Sequence, residues 1–311
     1  MSVEIESQIE KIPIANRLMH FTKRIKLYDF SLYDLLEMYG LGIVKGAFSD
    51  RASSIAFSFF MALFPFALFI LNLIPYIPIA GFQEDFLQFV SDNVPPKTYD
   101  AIGVIINDIL NNSYQGLLSS GFLLSIFLMS NGLNAIIGAF QSSYYITQKQ
   151  SFWKNYLIAL VMSVLMVSLL IVTVISIILF EVITYFLQNQ WHMVQHIPLL
   201  QLFRFFIGFM LILLATSFLY KFSCKQTRYI SFISYGSILT AVLIVVSSFI
   251  FGIYVEKFSK YNELYGSIGT LLVLMFYIWL NCTILLLGFE LNLSIQKLKQ
   301  SKSILDSNPT E

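Results

Sequence analysis

Leu117 to Phe140 reads LLSSGFLLSIFLMSNGLNAIIGAF, an apolar run long enough, at 1.5 Å per residue, to cross a hydrocarbon core of roughly 30 Å as one helix. Five stretches of the same kind surround it: Ile55 to Pro75, Tyr156 to Phe180, Leu202 to Tyr220, Ile230 to Ile253 and Ile268 to Phe289. An all-α, polytopic membrane protein with six transmembrane helices is therefore expected. Composition agrees, since 57% of the 311 residues are apolar and 12% charged, whereas a soluble domain carries about 25% charged residues.

A net charge of +1 conceals strong segregation. Lys11, Arg17, Lys23, Arg24, Lys26, Lys45 and Arg51 precede the first span. Lys149 and Lys154, then Lys221, Lys225 and Arg228, then Lys297, Lys299 and Lys302 fill the second, fourth and last connections. The alternate connections hold Lys97, Lys257 and Lys260, with Arg204 at or just inside the fourth span, so the positive-inside rule places both termini in the cytoplasm. No secretory signal precedes Ile55, and the first span is read as an uncleaved insertion signal. Cys224, at the cytoplasmic end of span four, and Cys282, near the middle of span six, sit at depths unsuited to a disulfide.

Residues 1–51 read as a cytoplasmic, interfacial arm. Leu18, Phe21 and Ile25 recur at helical spacing among Arg17, Lys23, Arg24 and Lys26, a pattern that fits an amphipathic helix on anionic headgroups or a solvated basic tail. Ser31 and Asp34 have capping-box spacing ahead of Leu32, Leu35, Leu36, Tyr39 and Ile43, so a second surface helix should lead into span one. The transmembrane domain spans 52–294. Its one long connection, 77–116, is an external hairpin of two amphipathic helices broken at Pro95 and Pro96. Glu84, Asp85, Asp92, Asp100 and Asp108 against Lys97 make it acidic, suited to a lid, a packed cap or the docking of an envelope protein partner. Residues 295–311 are expected to be a disordered tail.

Polar side chains inside spans are costly and mark functional candidates. Asn131 and Asn134 share a helical face with Gly138 and Gln141. Asn281 falls at a similar depth on span six, and Pro65 near mid-membrane on span one, in the stripe Ser54, Ser58, Ala62, Pro65. Ser58, Pro65, Asn131, Asn134, Gln141 and Asn281 are thus candidates for a polar cavity among spans one, two and six; the plain alternative is interhelical hydrogen bonding and small-residue packing. Asp50, Arg51 and Glu290 gather at the cytoplasmic ends of spans one and six as a salt bridge or gate. Glu181 and Arg204 are placed to pair near the outer face. No carboxylate stands at the membrane centre, which disfavours a proton-relay pump.

Zinc-protease, nucleophile-elbow and Walker signatures are missing. His192 and His196 are four residues apart with no third ligand evident, so neither a metal nor any other cofactor is expected. ATP-driven transport would need a separate subunit.

Two segments carry a family resemblance. Asp50-Arg51-Ala52-Ser53-Ser54-Ile55-Ala56-Phe57-Ser58, continuing through Leu63-Phe64-Pro65, resembles the opening signature of the YihY/BrkB family of bacterial inner-membrane proteins. Tyr265-Gly266-Ser267-Ile268-Gly269, with Trp279 and then Gly288-Phe289-Glu290-Leu291-Asn292, resembles its closing signature. The likeness extends over about Leu32 to Leu298. The chain departs from it at Phe289, where the family has a small residue, and at Gln141 and Lys149, where the family ends span two with Asn and a basic stretch. The resemblance implies a bacterial inner-membrane location and a family in which an early ribonuclease label is regarded as mistaken and envelope lipid transport has been proposed.

Taken with the resemblance, the expectation is a protein that moves or exports a lipid-like or amphipathic solute through a cavity among spans one, two and six, with membrane lipids as partners and no nucleic acid. Asn131, Asn134 and Asn281 would contact substrate, Pro65 and Gly269 would permit helix movement, and Glu290 with Arg51 would close the cytoplasmic side. A non-transporting envelope scaffold is the rival reading. An intramembrane enzyme, built on Ser58 or Ser130 beside a base, is the third.

Overall fold

A computed structural model describes residues 26–27, 30–74, 81–93, 103, 106, 115–191, 198–258 and 267–307. Within those helices some side chains, including those of 64–70, 177–191 and 198–204, lie outside the described set. A two-residue antiparallel pairing of β1 (Lys26–Leu27) with β2 (Phe30–Ser31) comes first, and the other described elements are helical. The helices are α1 (Leu32–Lys45), α2 (Phe48–Leu73), α3 (Phe82–Asn93), α4 (Gln115–Gln141), α5 (Phe152–Trp191), α6 (Pro198–Ser223), α7 (Tyr235–Phe258) and α8 (Ser267–Ser307).

The Ser31 hydroxyl caps α1 by accepting from the Asp34 N–H at 3.2 Å, while the Asp34 carboxylate accepts from the Ser31 N–H at 3.0 Å. This closes the expected capping box. Gly46 ends α1, and Ala47, at a left-handed φ of 45°, turns the chain directly into α2. Arg51 consequently sits in the first turns of α2, against the corner. A Cβ on Gly46 would come within 2.8 Å of the Arg51 guanidinium, so the corner needs glycine there.

Two expected boundaries move. The span anticipated from Ile230 becomes α-helical only at Tyr235, because Gln226–Tyr229 form a 3-10 turn and Ser234 and Ser237 cap each other reciprocally at 2.9 and 3.2 Å. The expected disordered tail is helical as far as Ser307. No Gly or Pro interrupts the chain between Gly288 and Pro309, and the Leu, Lys and Gln residues there are good helix formers. At 40 and 41 residues, α5 and α8 are each about 60 Å long, roughly twice the hydrocarbon thickness.

Four described segments are long and apolar enough to cross a membrane: Phe152–Leu169, Phe205–Ser223, Tyr235–Val255 and Leu271–Ser301; Ile126–Gln141 in α4 is a shorter apolar helix. Packing runs in a ring among the described residues, α2 on α4, α4 on α5, α5 on α6, α6 on α7, α7 on α8, and α8 back on α2, with α1 laid against α8. The main buried cluster lies toward one end of this ring. It is built from Ala52, Ile55 and Ala56, from Leu133 to Phe140, from Ala159 and Met162, from Leu219 and Tyr220, and from Cys282 to Leu293. Lys149, Lys154, Lys225, Arg228, Lys297 and Lys299 flank that end, which is called the basic end below.

Of the expected external hairpin, α3 is described. Phe82, Phe86 and Leu87 pack on a small cluster of Ile74 and Ile106. Apart from residues 103 and 106, the second hairpin helix lies outside the described residues, as do the amphipathic segment around residues 17–25 and His192 and His196.

Candidate site at the closed basic end

Glycine-sized gaps bring the helices together here. Gly236 of α7 faces Gly288 of α8: a Cβ on Gly236 would stand 2.6 Å from the Asn292 amide, and one on Gly288 would stand 2.6 Å from the Tyr220 hydroxyl. That hydroxyl donates to the Leu285 carbonyl at 2.7 Å and shares a 2.6 Å hydrogen bond with Thr240. Asn292 completes the crossing, accepting from Gly236 N–H at 2.8 Å and donating to Ser234 Oγ at 2.8 Å.

Across the ring, three aromatic rings from three different helices meet. Phe140 of α4 stacks on Phe289 of α8, with centroids 3.9 Å apart. Tyr220 of α6 contacts both, at 5.7 and 5.8 Å. All three are at most 1% exposed, so they form a buried aromatic cluster where the three helices meet. Sequence reasoning singled out Phe289 only as a departure from the family pattern; Phe140 and Tyr220 gave no polar signal and were missed.

Beside this cluster lies a buried ion pair. Arg51 Nη1 is 2.7 Å from Glu290 Oε1, with the side chains 6% and 0% exposed. Glu290 Oε2 accepts from Ser143 Oγ at 2.8 Å, and Arg51 donates to the carbonyls of Ala139 (2.8 Å) and Gly46 (3.2 Å). Four elements, the α1–α2 corner, the end of α4, the loop after it and α8, are thereby joined. Arg51 Nη2 is buried with no partner among the described residues, which leaves the network incompletely satisfied. Tyr145, in the loop, donates to the Met38 carbonyl. Burial, and then the charge of Glu290, push the hydroxyls of Tyr39 and Tyr145 up to about 12. Asp50, expected to join this group, is exposed and stays outside it.

The mid-helix candidates fare differently. Gln141 is locked to Asn155 by amide hydrogen bonds of 2.8 and 3.2 Å and also accepts from Gln150 N–H, so it ties α4 to the start of α5. Asn281 donates to the Tyr277 carbonyl of its own helix, and Ser58 likewise to Ser54. Ser130 meets Ser163 at 3.1 Å across α4 and α5, with no base in that contact. Asn131 and Asn134 are half-buried and form no side-chain hydrogen bond among the described residues. Pro65 lies within α2, Glu181 within α5 and Arg204 within α6, with side chains outside the described set. Among the described residues no group of three His, Cys, Asp or Glu side chains is placed to hold a metal ion.

Long apolar helices packed side by side define an all-helical integral membrane protein. Residues 43–309 match the model of the Virulence factor BrkB family, and the chain belongs to that family. It is 26% identical over 261 residues to a Bacillus subtilis protein named putative ribonuclease-like protein YfkH, covering 84% of this chain and 93% of the relative. A UPF0761 membrane protein of Histophilus somni is 23% identical over 272 residues, covering 82% and 92%, and one of Kangiella koreensis is 25% identical over 247, covering 77% and 58%. No solved structure shows significant similarity.

Proposed function

We propose that this protein moves an amphipathic or lipid-like solute across a bacterial inner membrane, with six spans, both termini in the cytoplasm and the basic end facing inward. The observation that carries the reading is the closed end: an aromatic cluster, read as a plug, and an incompletely satisfied buried ion pair, set across a ring of helices. A buried pair contributes little net stability, because desolvation offsets much of its attraction. A contact of that kind, with one guanidinium nitrogen unsatisfied among the described residues, suits a gate better than a permanent staple. Asn131 and Asn134, half-buried and without hydrogen-bonded partners among the described residues, serve as the substrate-facing polar groups.

A reconstituted system tests this. Vesicles holding the protein should move a fluorescent lipid between leaflets faster than protein-free vesicles, and Asn131→Leu should slow the movement. Equal rates with and without protein would refute it. One set of contacts favours a second reading, a scaffold: Asn281 and Ser58 are satisfied by their own helices, and Gln141–Asn155 and Ser130–Ser163 join neighbours. On that reading the acidic outer segment around α3 binds an envelope protein and no solute moves.

A further inference from the structure

The basic end carries a second feature that the gate does not use. A pocket of about 380 Å³ opens between the loop leading into α7 and the extension of α8, lined among others by Tyr229, Ser231, Tyr235, Ile238, Gln296 and Lys299. From the geometry we infer that it holds the phosphate headgroup of an anionic phospholipid.

Charge is the first argument. The lining residues fall within 229–238 and 292–299 and include Lys299 but no Asp or Glu; Lys225, Arg228 and Lys302 lie in the flanking sequence. Hydrogen bonding inside the fold already occupies the nearby backbone donors Gly236 N–H and Ser237 N–H. Attraction for an anion therefore comes chiefly from Lys299, the basic residue that lines the pocket, at about 1 kcal/mol, or roughly fivefold in affinity.

Position argues for a lipid over a free phosphate. Tyr229 is 88% exposed and Tyr235 52%, on the flank of a helix that crosses the membrane, where aromatic side chains mark the headgroup level. From Ile238 in the pocket wall, Val242, Val245 and Phe249 continue along one face of α7, all apolar and all exposed. An acyl chain can lie along that row while its phosphate occupies the pocket. The pocket lies apart from the Arg51–Glu290 pair, so the inference holds or fails independently of solute movement.

Binding of fluorescent phosphatidylglycerol and phosphatidylcholine to the purified full-length protein in detergent micelles is the test, with Lys299→Gln as the probe variant. Lys297→Gln is the matched control, since Lys297 lines a separate hollow of about 120 Å³ beside Tyr145 and Thr147. The expected result is preference for phosphatidylglycerol, a loss of about fivefold in its affinity in Lys299→Gln, and little change in Lys297→Gln. Equal affinity for the two lipids, or equal losses in the two variants, would overturn the site. Displacement of the lipid by glycerol phosphate at matched concentration would overturn the lipid assignment in favour of a soluble phosphate.

Discussion

Arg51 and Glu290 lie 239 residues apart in the chain and 2.7 Å apart in the folded protein, joining the first turns of α2 to the middle of α8. Removing one partner strands a buried charge. Arg51→Met or Glu290→Gln alone should destabilise the protein by about 3 to 5 kcal/mol, whereas the paired replacement Arg51→Met with Glu290→Leu should recover most of that loss. Thermal unfolding of the detergent-solubilised variants measures both effects. A double variant no more stable than the singles would show that the pair is not isolated from its neighbours.

At the α7–α8 crossing the prediction is steric. Gly288→Ala places a methyl group against Thr240 and the Tyr220 hydroxyl and should cost about 1 to 3 kcal/mol. Gly252, which has open space around it, should accept alanine with no such loss. Comparing unfolding midpoints of the two variants checks this, and similar values would mean that the helices are less closely apposed.

The plug makes a separate prediction. Phe289→Ala removes the ring stacked on Phe140 and should cost about 3 to 5 kcal/mol. In reconstituted vesicles, protein that still folds should leak a small dye trapped inside. Phe289→Leu should retain the seal, and a dye leak from that variant equal to that of Phe289→Ala would tell against a plug.

Stability should also depend on alkaline pH. Tyr39 in α1 and Tyr145 in the loop after α4 both have hydroxyls raised from 10.0 to about 12, by burial first and Glu290 second. The folded protein thus holds these protons more tightly than the unfolded chain does. Their contribution is fully present below pH 10 and is lost as pH rises toward 12. Unfolding midpoints from pH 9 to 12 should fall less steeply in Tyr145→Phe than in the wild type, and parallel curves would exclude the effect.

The helical membrane class was legible because apolar runs of spanning length have few alternative structures. The capping box was legible because its spacing is local, and Arg51 and Glu290 could be paired because charge segregation put both at one end. What escaped was relational. Phe140 and Tyr220 look like any apolar residues in a span, and their meeting with Phe289 depends on how three helices cross. The start of α7 was misjudged because Ile230 and Ile233 extend an apolar run that the Ser234–Ser237 cap interrupts. Asn281 stands out in the sequence as a polar residue within an apolar span, yet a helix can satisfy such a side chain with its own carbonyls.

The gate itself is tested most directly by the translocation rate of a fluorescent phospholipid in vesicles, comparing wild type with the folded Arg51→Met, Glu290→Leu double variant. Opening a charged gate exposes ions whose hydration offsets the lost contact, whereas opening an apolar one exposes hydrocarbon to water. The wild type should therefore outpace protein-free vesicles, and the double variant should be slower than the wild type by tenfold or more, a barrier increase of at least about 1.4 kcal/mol. A double variant as fast as the wild type, or a wild type no faster than empty vesicles, would contradict the account.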